Sequence, residues 1–457
     1  MYLRCDNMKL RPYQKNDVQK LQTKKAFGIF SQQRTGKTPT SLVACQTYGA
    51  NKILIVCPAS MIYDWKDEFE KWLDLPCIVY DGNKDDSWIN DWTHGLVISY
   101  GSLKSTKAYT GQAELIKSKN PDAIIVDEAH RIKGRTTQVA LAINKFKKVP
   151  YKLALTGTPS PNEIHDVWAI LNFLYPKHFS SYWKFIYKYF KTKSMVSKSG
   201  QDFTIPINIK PEMKPVLTRY LSYITIQHKR KDVMQWLPDE PTPKMIRLPL
   251  TALQKKYLNE LAEWYETEHI ITYGELDRLI RYRQICLSPK LLDLKGESPK
   301  LKWIQDYLSD YPDKPILIFS RFTTWINLIK EKVPALRVFS GEQSKKERKQ
   351  LKEDFQSGKI NVLAIQIDAG KEGITLDRAE CIIFTDVFPP AADIDQAKDR
   401  FIPTTRNKAD TPKEIITLAM RDSYDEELYR LVAQKKKATS IVNDYKKYIN
   451  QHKNKGG

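Results

Sequence analysis

The sequence predicts an α/β protein with two parallel-sheet lobes in tandem and a helical insertion between them. Three observations carry this reading. Short, continuous apolar runs recur in two series, helix-compatible segments separate most members of each series, and the pattern changes between roughly 172 and 300. Unbroken β-branched runs of this length fit strands covered on both faces, and their alternation with helices is the βαβ pattern.

The first series comprises AFGIF (26–30), KILIVCP (52–58), GLVISY (95–100), AIIV (123–126) and KLALTG (152–157). The second comprises PILIFS (315–320), LRVFSG (336–341), NVLAIQ (361–366), CIIFTD (381–386) and EIITLAM (414–420). Residues 1–174 are therefore expected to form the first lobe and 301–430 the second. Between them, 175–300 is read as a basic, aromatic helical insertion and linker. Its part 175–240 holds twelve Lys/Arg against five Asp/Glu and twelve aromatic residues. The Pro-rich piece LPDEPTPKMIRLPL (237–250) reads as a semi-rigid connector. Residues 431–457 form a basic tail with seven Lys in QKKKATSIVNDYKKYINQHKNKGG, read either as a solvated, fraying helix or as a DNA contact.

Composition narrows the class. The chain has 457 residues, 41% hydrophobic and 28% charged, and 74 Lys/Arg minus 53 Asp/Glu gives a net charge of +21. This excludes a disordered or collagen-like chain. No run approaches ~18 apolar residues, so no membrane span is expected. The opening MYLRCDNMKLRPYQK has no apolar core of a signal peptide. The six cysteines, at 5, 45, 57, 77, 286 and 381, include no CxxC pair and read as unpaired thiols of a reducing cytoplasm. The positive charge favours a polyanionic partner, nucleic acid first.

Three motifs carry chemistry. SQQRTGKT (31–38) follows the first apolar run and precedes the helix-compatible TSLVACQTY. A strand, a tight loop through Arg34 and Thr35, and a helix starting at Gly36-Lys37-Thr38 form a phosphate cradle. Main-chain N–H groups face the β-phosphate, Lys37 reaches the β/γ oxygens, and the Thr38 hydroxyl ligates Mg2+. The strict form of this motif begins with Gly, and Ser31 stands there instead. AIIVDEAH (123–130) puts Asp127 and Glu128 at the carboxyl end of a strand, where an Asp holds the metal shell and a Glu takes a proton from attacking water. LALTGTPSPN (153–162) places Thr156 and Thr158 near the same sheet edge.

Lys37, DEAH and TGTP together resemble a superfamily-two helicase core. The finer wording is similar to the Swi/Snf branch: LRPYQ (10–14), LIVCPASMIYDWKDEFEKW (54–72), DEAHRIK (127–133) and LTGTPSPNEIHDVWAILNFLYP (155–176). HKRKDVMQWLPDEP (228–241), SGEQSKKERKQLKEDFQ (340–356) and AGKEGITLDRAECIIFTD (369–386) continue the likeness, which spans roughly 8–410. Small single-motor chains of this type resemble phage or bacterial members. The resemblance implies two RecA-like lobes and an ATP-hydrolysing, Mg2+-dependent DNA motor. It further implies that Gln14 reads the adenine edge with Arg11 nearby, and that Gly373 and its neighbours contact nucleotide and DNA backbone. DIDQAKDRFIPTTR (393–406) is similar to the motif that supplies Gln396 and arginine fingers. Arg400 is the finger expected there. The family's second Arg position is taken by Pro403, which leaves Arg406 as a conditional one. Arg34 is also atypical, because the family has a small or apolar residue in that position.

The substrate implied is duplex or branched DNA held mainly through phosphates, in fork remodelling, branch migration or unwinding during replication and repair. An RNA helicase and an ATP-gated DNA-binding clamp without turnover are the competing readings. The cysteines and the lack of a long apolar run lead to the expectation of a cytoplasmic protein without membrane attachment, and a two-lobed core that completes its own site is expected to be monomeric.

Overall fold

The computed structural model describes residues 10–449 except 83–84, 106–109, 133, 135, 158–166, 197–199, 201, 238–240, 371–374, 388–390, 404–411, 435–440 and 442–443. Two compact units divide the chain, 1–235 and 236–457, so the stretch 175–300 contributes to both.

In the first unit, the strands are β1 (Ala26–Ile29), β2 (Ile53–Cys57), β3 (Cys77–Tyr80), β4 (Gly95–Ser99), β5 (Ala123–Val126), β6 (Tyr151–Leu155) and β9 (Thr225–Ile226). They lie in the order β3-β4-β2-β5-β6-β1-β9, and every pairing is parallel. β1, β2, β4, β5 and β6 are buried throughout, as expected when helices cover both faces of a parallel sheet. All five runs of the first series are strands; β3 and β9 add two the periodicity does not announce. Gly28 is required by packing: a Cβ there would stand 2.7 Å from the Phe30 ring and 2.9 Å from Thr225 Cγ2.

Helices α1 (Pro12–Gln22), α2 (Lys37–Tyr48) and α3 (Ile62–Leu73) lie in the same unit. The buried stripe of α3, Ile62, Trp65, Phe69 and Leu73, follows helical spacing and packs into the core shared with Ile55 and Val97. Further along, the helices Tyr182–Tyr189 and Met213–Ile224 flank a separate two-stranded antiparallel ribbon, β7 (Phe190–Val196) and β8 (Asp202–Ile209).

The second unit has strands β10 (Lys244–Leu248), β13 (Ile316–Ser320), β14 (Arg337–Phe339), β15 (Val362–Gln366), β16 (Cys381–Phe384) and β17 (Glu414–Met420). Their order is β10-β17-β16-β13-β15-β14, again all parallel. A short hairpin, β11 (Glu266–Thr267) and β12 (Ile270–Ile271), stands apart. β10 corrects the reading of 237–250 as a connector. Its Pro residues fall outside the strand, and Lys244–Leu248 pairs with β17 as an edge, where the alternating half-exposed pattern is tolerated. The tail is corrected likewise. Residues 444–449 are helical as expected, but packed rather than solvated: Ile441, Tyr445 and Ile449, four apart, form a stripe buried with Tyr282 and Tyr424. Cys45, Cys57, Cys77, Cys286 and Cys381 are all buried, and none of these five forms a disulfide.

Beneath the carboxyl ends of β13, β16 and β17 lies a buried ionic network. Arg283 meets Asp386 at 2.7 Å, and Lys300 Nζ donates to Asp425 Oδ2 at 2.7 Å and to the Thr385 carbonyl at 2.8 Å. The Lys300 and Asp425 side chains are 0% and 3% exposed, so each charge relies on the other, with the Thr385 carbonyl and Met420 N as neutral partners, to offset lost water. Lys300→Met is therefore expected to lower unfolding free energy by about 3–5 kcal/mol, and Lys300→Met with Asp425→Leu to recover most of it. Urea unfolding followed by circular dichroism checks both.

Candidate functional site

The carboxyl ends of β1 and β5 gather the predicted motifs of the first unit. β1 runs into the loop 30–36, and α2 begins at Lys37 directly behind Gly36. Gly36 has φ +71, and a Cβ there would lie 2.1 Å from Gln14 Nε2, so no other residue fits without displacing that amide. Arg34 adopts the same left-handed region at φ 69, half-buried, which gives this atypical residue a conformational cost. α2 receives no side-chain N-cap, leaving its first N–H groups for an anion. Lys37 Nζ donates to the Ser31 and Gln32 carbonyls at 3.0 and 3.2 Å. Buried Thr35 donates its hydroxyl to Gln32 O at 2.7 Å, which closes the loop. Thr38 is half-buried one residue into α2.

α1 fastens this loop from outside. Tyr13 donates to the Thr35 carbonyl at 3.0 Å, and Gln14 donates to the Gly36 carbonyl at 3.3 Å while accepting from Arg11 N at 2.8 Å. Both ends of the Gln14 amide are thus engaged by the loop and by its own helix start. Asp17 holds α1 to the segment after β9 through His228 Nε2, 2.8 Å away, and the Tyr13 ring meets the same imidazole edge-on. Burial raises the Asp17 carboxyl, and the His228 contact works against that rise. His228 N donates in turn to Ser31 Oγ at 3.0 Å, and Arg230 N to Gln32 Oε1 at 2.7 Å.

At the end of β5, Asp127 Oδ1 accepts from Glu128 N at 2.9 Å and Oδ2 from the Trp65 indole at 2.9 Å. Tyr100 donates its hydroxyl to the Asp127 carbonyl. Burial and the neighbouring Glu128 charge raise the Asp127 carboxyl to about 6, with Trp65 and Lys37 acting in the opposite sense. Glu128 sits at φ 47, a position rarely taken by a side chain of its size. Its Oε1 accepts from Gln33 Nε2 at 3.3 Å, and His130 Nδ1 stands 3.3 Å from Oε2 and 3.2 Å from Thr156 Oγ1. Phosphate loop, acidic pair and the end of β6 are therefore joined by side-chain contacts.

A divalent cation fits Asp127. The carboxylate is half-buried with neutral donors on both oxygens, and a raised carboxyl is what an uncompensated negative charge produces. Mg2+ in phosphate sites is commonly held by one or two protein groups plus phosphate oxygens, and Asp127 with the Thr38 hydroxyl would supply that number.

In the second unit, Gln396 is half-buried on the helix Ala391–Asp399. Arg400 follows it and is 2% exposed, its carbonyl accepting from Leu376 N at 2.9 Å. Arg321 pairs with Asp393 at 2.5 Å, which ties the end of β13 to that helix. Gly373, Arg406 and Thr158 lie outside the described residues. Trp65, Tyr100, Gln33 and the Asp17–His228 pair were not singled out by their sequence; Trp65 and His228 lie inside quoted family segments, the only signal that pointed to them.

Comparison with known proteins places the chain. The SNF2-related domain matches residues 9–291 and the helicase conserved C-terminal domain matches residues 299–402. The chain belongs to the SNF2-related family. It is 25% identical over 438 residues to the mouse "SWI/SNF-related matrix-associated actin-dependent regulator of chromatin subfamily A member 1", across 88% of this chain and 39% of that protein. It is 25% identical over 459 residues to an "Uncharacterized ATP-dependent helicase" of Mycoplasma pneumoniae, across 94% of this chain and 42% of the relative. The chain spans about two fifths of the length of these curated relatives. Among solved structures, the Sulfolobus solfataricus SWI2/SNF2 ATPase core in complex with dsDNA aligns with a TM-score of 0.44 at 24% identity, covering 94% of this chain and 91% of that one. No helix among the described residues is long and apolar enough to cross a membrane.

Proposed function

We propose that this protein is an ATP-driven motor that tracks on duplex or branched DNA and serves fork remodelling, branch migration or unwinding in replication and repair. The observation that carries the reading is the contact between its two chemical motifs: Gln33 of the phosphate loop donates to Glu128 of the acidic pair at 3.3 Å. Membership of the SNF2-related family supports the same reading.

In this mechanism the N–H groups at the start of α2 and the Lys37 ammonium hold the β- and γ-phosphates. Lys37 exchanges its two carbonyl acceptors for phosphate oxygens, a trade of equal hydrogen-bond number with a gain in charge. Thr38 and Asp127 would hold a bound Mg2+, whose charge would offset that of the phosphates. Glu128 takes the proton from the attacking water, with Gln33 and His130 fixing its carboxylate. Gln14 and Arg11 lie beside the loop for the adenine edge, and Gln14 must release the Gly36 carbonyl to read a base. Gln396 and Arg400, with Arg406 and Gly373, belong to the second unit's share of the reaction. Arg400 supplies positive charge to the transferring phosphoryl group.

The test is steady-state ATP hydrolysis with no nucleic acid, blunt duplex, single-stranded DNA, a branched junction and RNA. Duplex or junction DNA is expected to stimulate turnover strongly, and Lys37→Ala to abolish it. Stimulation by RNA alone overturns the substrate, and a rate unmoved by every polymer overturns the motor.

A further inference from the structure

The helices Tyr182–Tyr189 and Met213–Ile224 enclose a groove of about 960 Å³ in the first unit, remote in sequence from the phosphate loop. Its floor is apolar and aromatic, with Phe179, Phe185 and Tyr189 buried. Its rims carry the exposed cations Lys184, Lys188 and Arg219, and no lining residue is acidic. The surrounding chain is charged in the same sense: residues 175–224 contain nine Lys/Arg and two Asp/Glu. Two large rings on the same helices are exposed, Tyr223 in the groove wall and Tyr187 outside the lining. Tyr223 is 71% exposed, with Lys24 Nζ over one face at 3.3 Å, and Tyr187 is 54% exposed and stacked on Trp183.

The β7–β8 ribbon grows directly from these two helices. Lys210 N donates to the Tyr189 carbonyl at 2.9 Å, and Lys210 Nζ to the Tyr187 carbonyl at 2.7 Å. The cross-strand register pairs Lys193 with Ile205 and Met195 with Phe203, so one face combines a cation with apolar side chains. Met195 and Phe203 on that face are exposed, and so is Ile207 beside the register shift near Phe190 and Thr192. A two-stranded ribbon is marginal by itself in water, and an apolar face left open on one calls for a ligand that covers it.

We propose that this groove and the ribbon beside it bind a single strand of DNA, separate from the phosphate-tracking surface of the motor. The chemistry selects that occupant. Cations on both rims suit a phosphate backbone, whereas duplex DNA presents phosphates outward and has no use for an apolar floor or for open ring faces. Unpaired bases do use them, by stacking on aromatic side chains in a basic groove. A site of this kind gives the motor a hold on one strand of a branch. The proposal rests on the reading of the protein as a DNA motor only for that use; the strand binding itself stands on the groove.

The experiment measures anisotropy of a fluorescein-labelled oligo-dT on the full chain without ATP, across a salt series, beside ATP turnover stimulated by blunt duplex. Lys184→Ala/Lys188→Ala/Arg219→Ala is expected to weaken oligo-dT binding about tenfold or more and to flatten the log–log salt slope by about 2, three contacts at ~0.7 each. Duplex-stimulated turnover should stay within about twofold of the native chain, because none of these residues lies in the phosphate loop. Tyr223→Ala should weaken oligo-dT about fivefold or more with the salt slope unchanged, the signature of lost stacking. Native-level oligo-dT binding by the triple variant overturns the proposal. So does poly-glutamate that displaces oligo-dT and is itself weakened by Tyr223→Ala, since the groove would then take an acidic protein segment. Oligo-dT binding that the triple variant loses, in a chain whose ATP turnover no nucleic acid stimulates, would sink the motor and leave the groove standing.

Discussion

Glu128→Gln is expected to bind ATP and DNA as the native chain does and to turn over ATP about 10²–10⁴-fold more slowly, the usual worth of a positioned general base. The substitution is nearly isosteric, and the geometry keeps it in place. Oε1 can still accept from Gln33, and the main chain at φ 47 is unchanged because both residues carry the same Cβ substitution. What disappears is the basic oxygen that receives the proton. Asp127 should respond as well: the Glu128 charge is one of the causes that raise its carboxyl, so removing that charge lowers it toward the ordinary carboxylate range. Metal binding at Asp127 therefore need not suffer, and the loss falls on the chemical step. Single-turnover hydrolysis beside equilibrium nucleotide binding separates the two. Native turnover by Glu128→Gln would remove this residue from the base role.

The sheets were legible because their signal is local. Ile53–Cys57 is apolar at every position and Ile316–Ser320 at all but its last, and burial on both faces needs little else. The motif spacing was legible for the same reason: Gly36 and Lys37 adjoin, as do Asp127 and Glu128, so their order implies a loop at a strand end. Other contacts depend on residues far apart in the chain. Trp65 is an ordinary core position of α3 until the fold brings its indole to Asp127, 62 residues away. Asp17 and His228 are separated by 211 residues, and Arg283 and Asp386 by 103. No periodicity encodes such pairs.

The errors and omissions share a cause. β10 has an edge strand's half-exposed pattern beside prolines, which a sequence cannot distinguish from a connector until β17 is there to pair with it. In the tail, lysines at 435–437, 446–447, 453 and 455 mask a stripe of only three apolar residues. Strands β7 and β8 lie in the stretch read as a helical insertion; Met195, Val196, Phe203 and Ile207 there are open to solvent, and apolar positions with no surface against them do not announce a strand. Each case is settled by a partner surface, and partner surfaces are what a single sequence lacks.

Arg400→Ala is expected to lower DNA-stimulated ATP turnover by at least ~10³, within the range an arginine finger contributes. The residue's setting makes the prediction demanding. Arg400 is nearly fully buried, and its backbone is held at both sides, N–H to Ala397 O and carbonyl from Leu376 N. A finger must bring its guanidinium to the phosphoryl group, so this side chain has to leave its present packing during the cycle. Alanine also removes a large buried side chain, and a loss of turnover from unfolding has to be separated from a loss of charge. Arg400→Lys does that. It keeps length and charge but not the planar fork that serves three equatorial oxygens at once. Melting temperature near native with turnover still down by ~10² or more would identify the fork itself as the catalytic element. Melting that falls in both variants, with turnover proportional to the folded fraction, would assign Arg400 to the core of the second unit. The finger would then have to come from Arg406, three residues beyond buried Pro403, whose ring fixes its own φ.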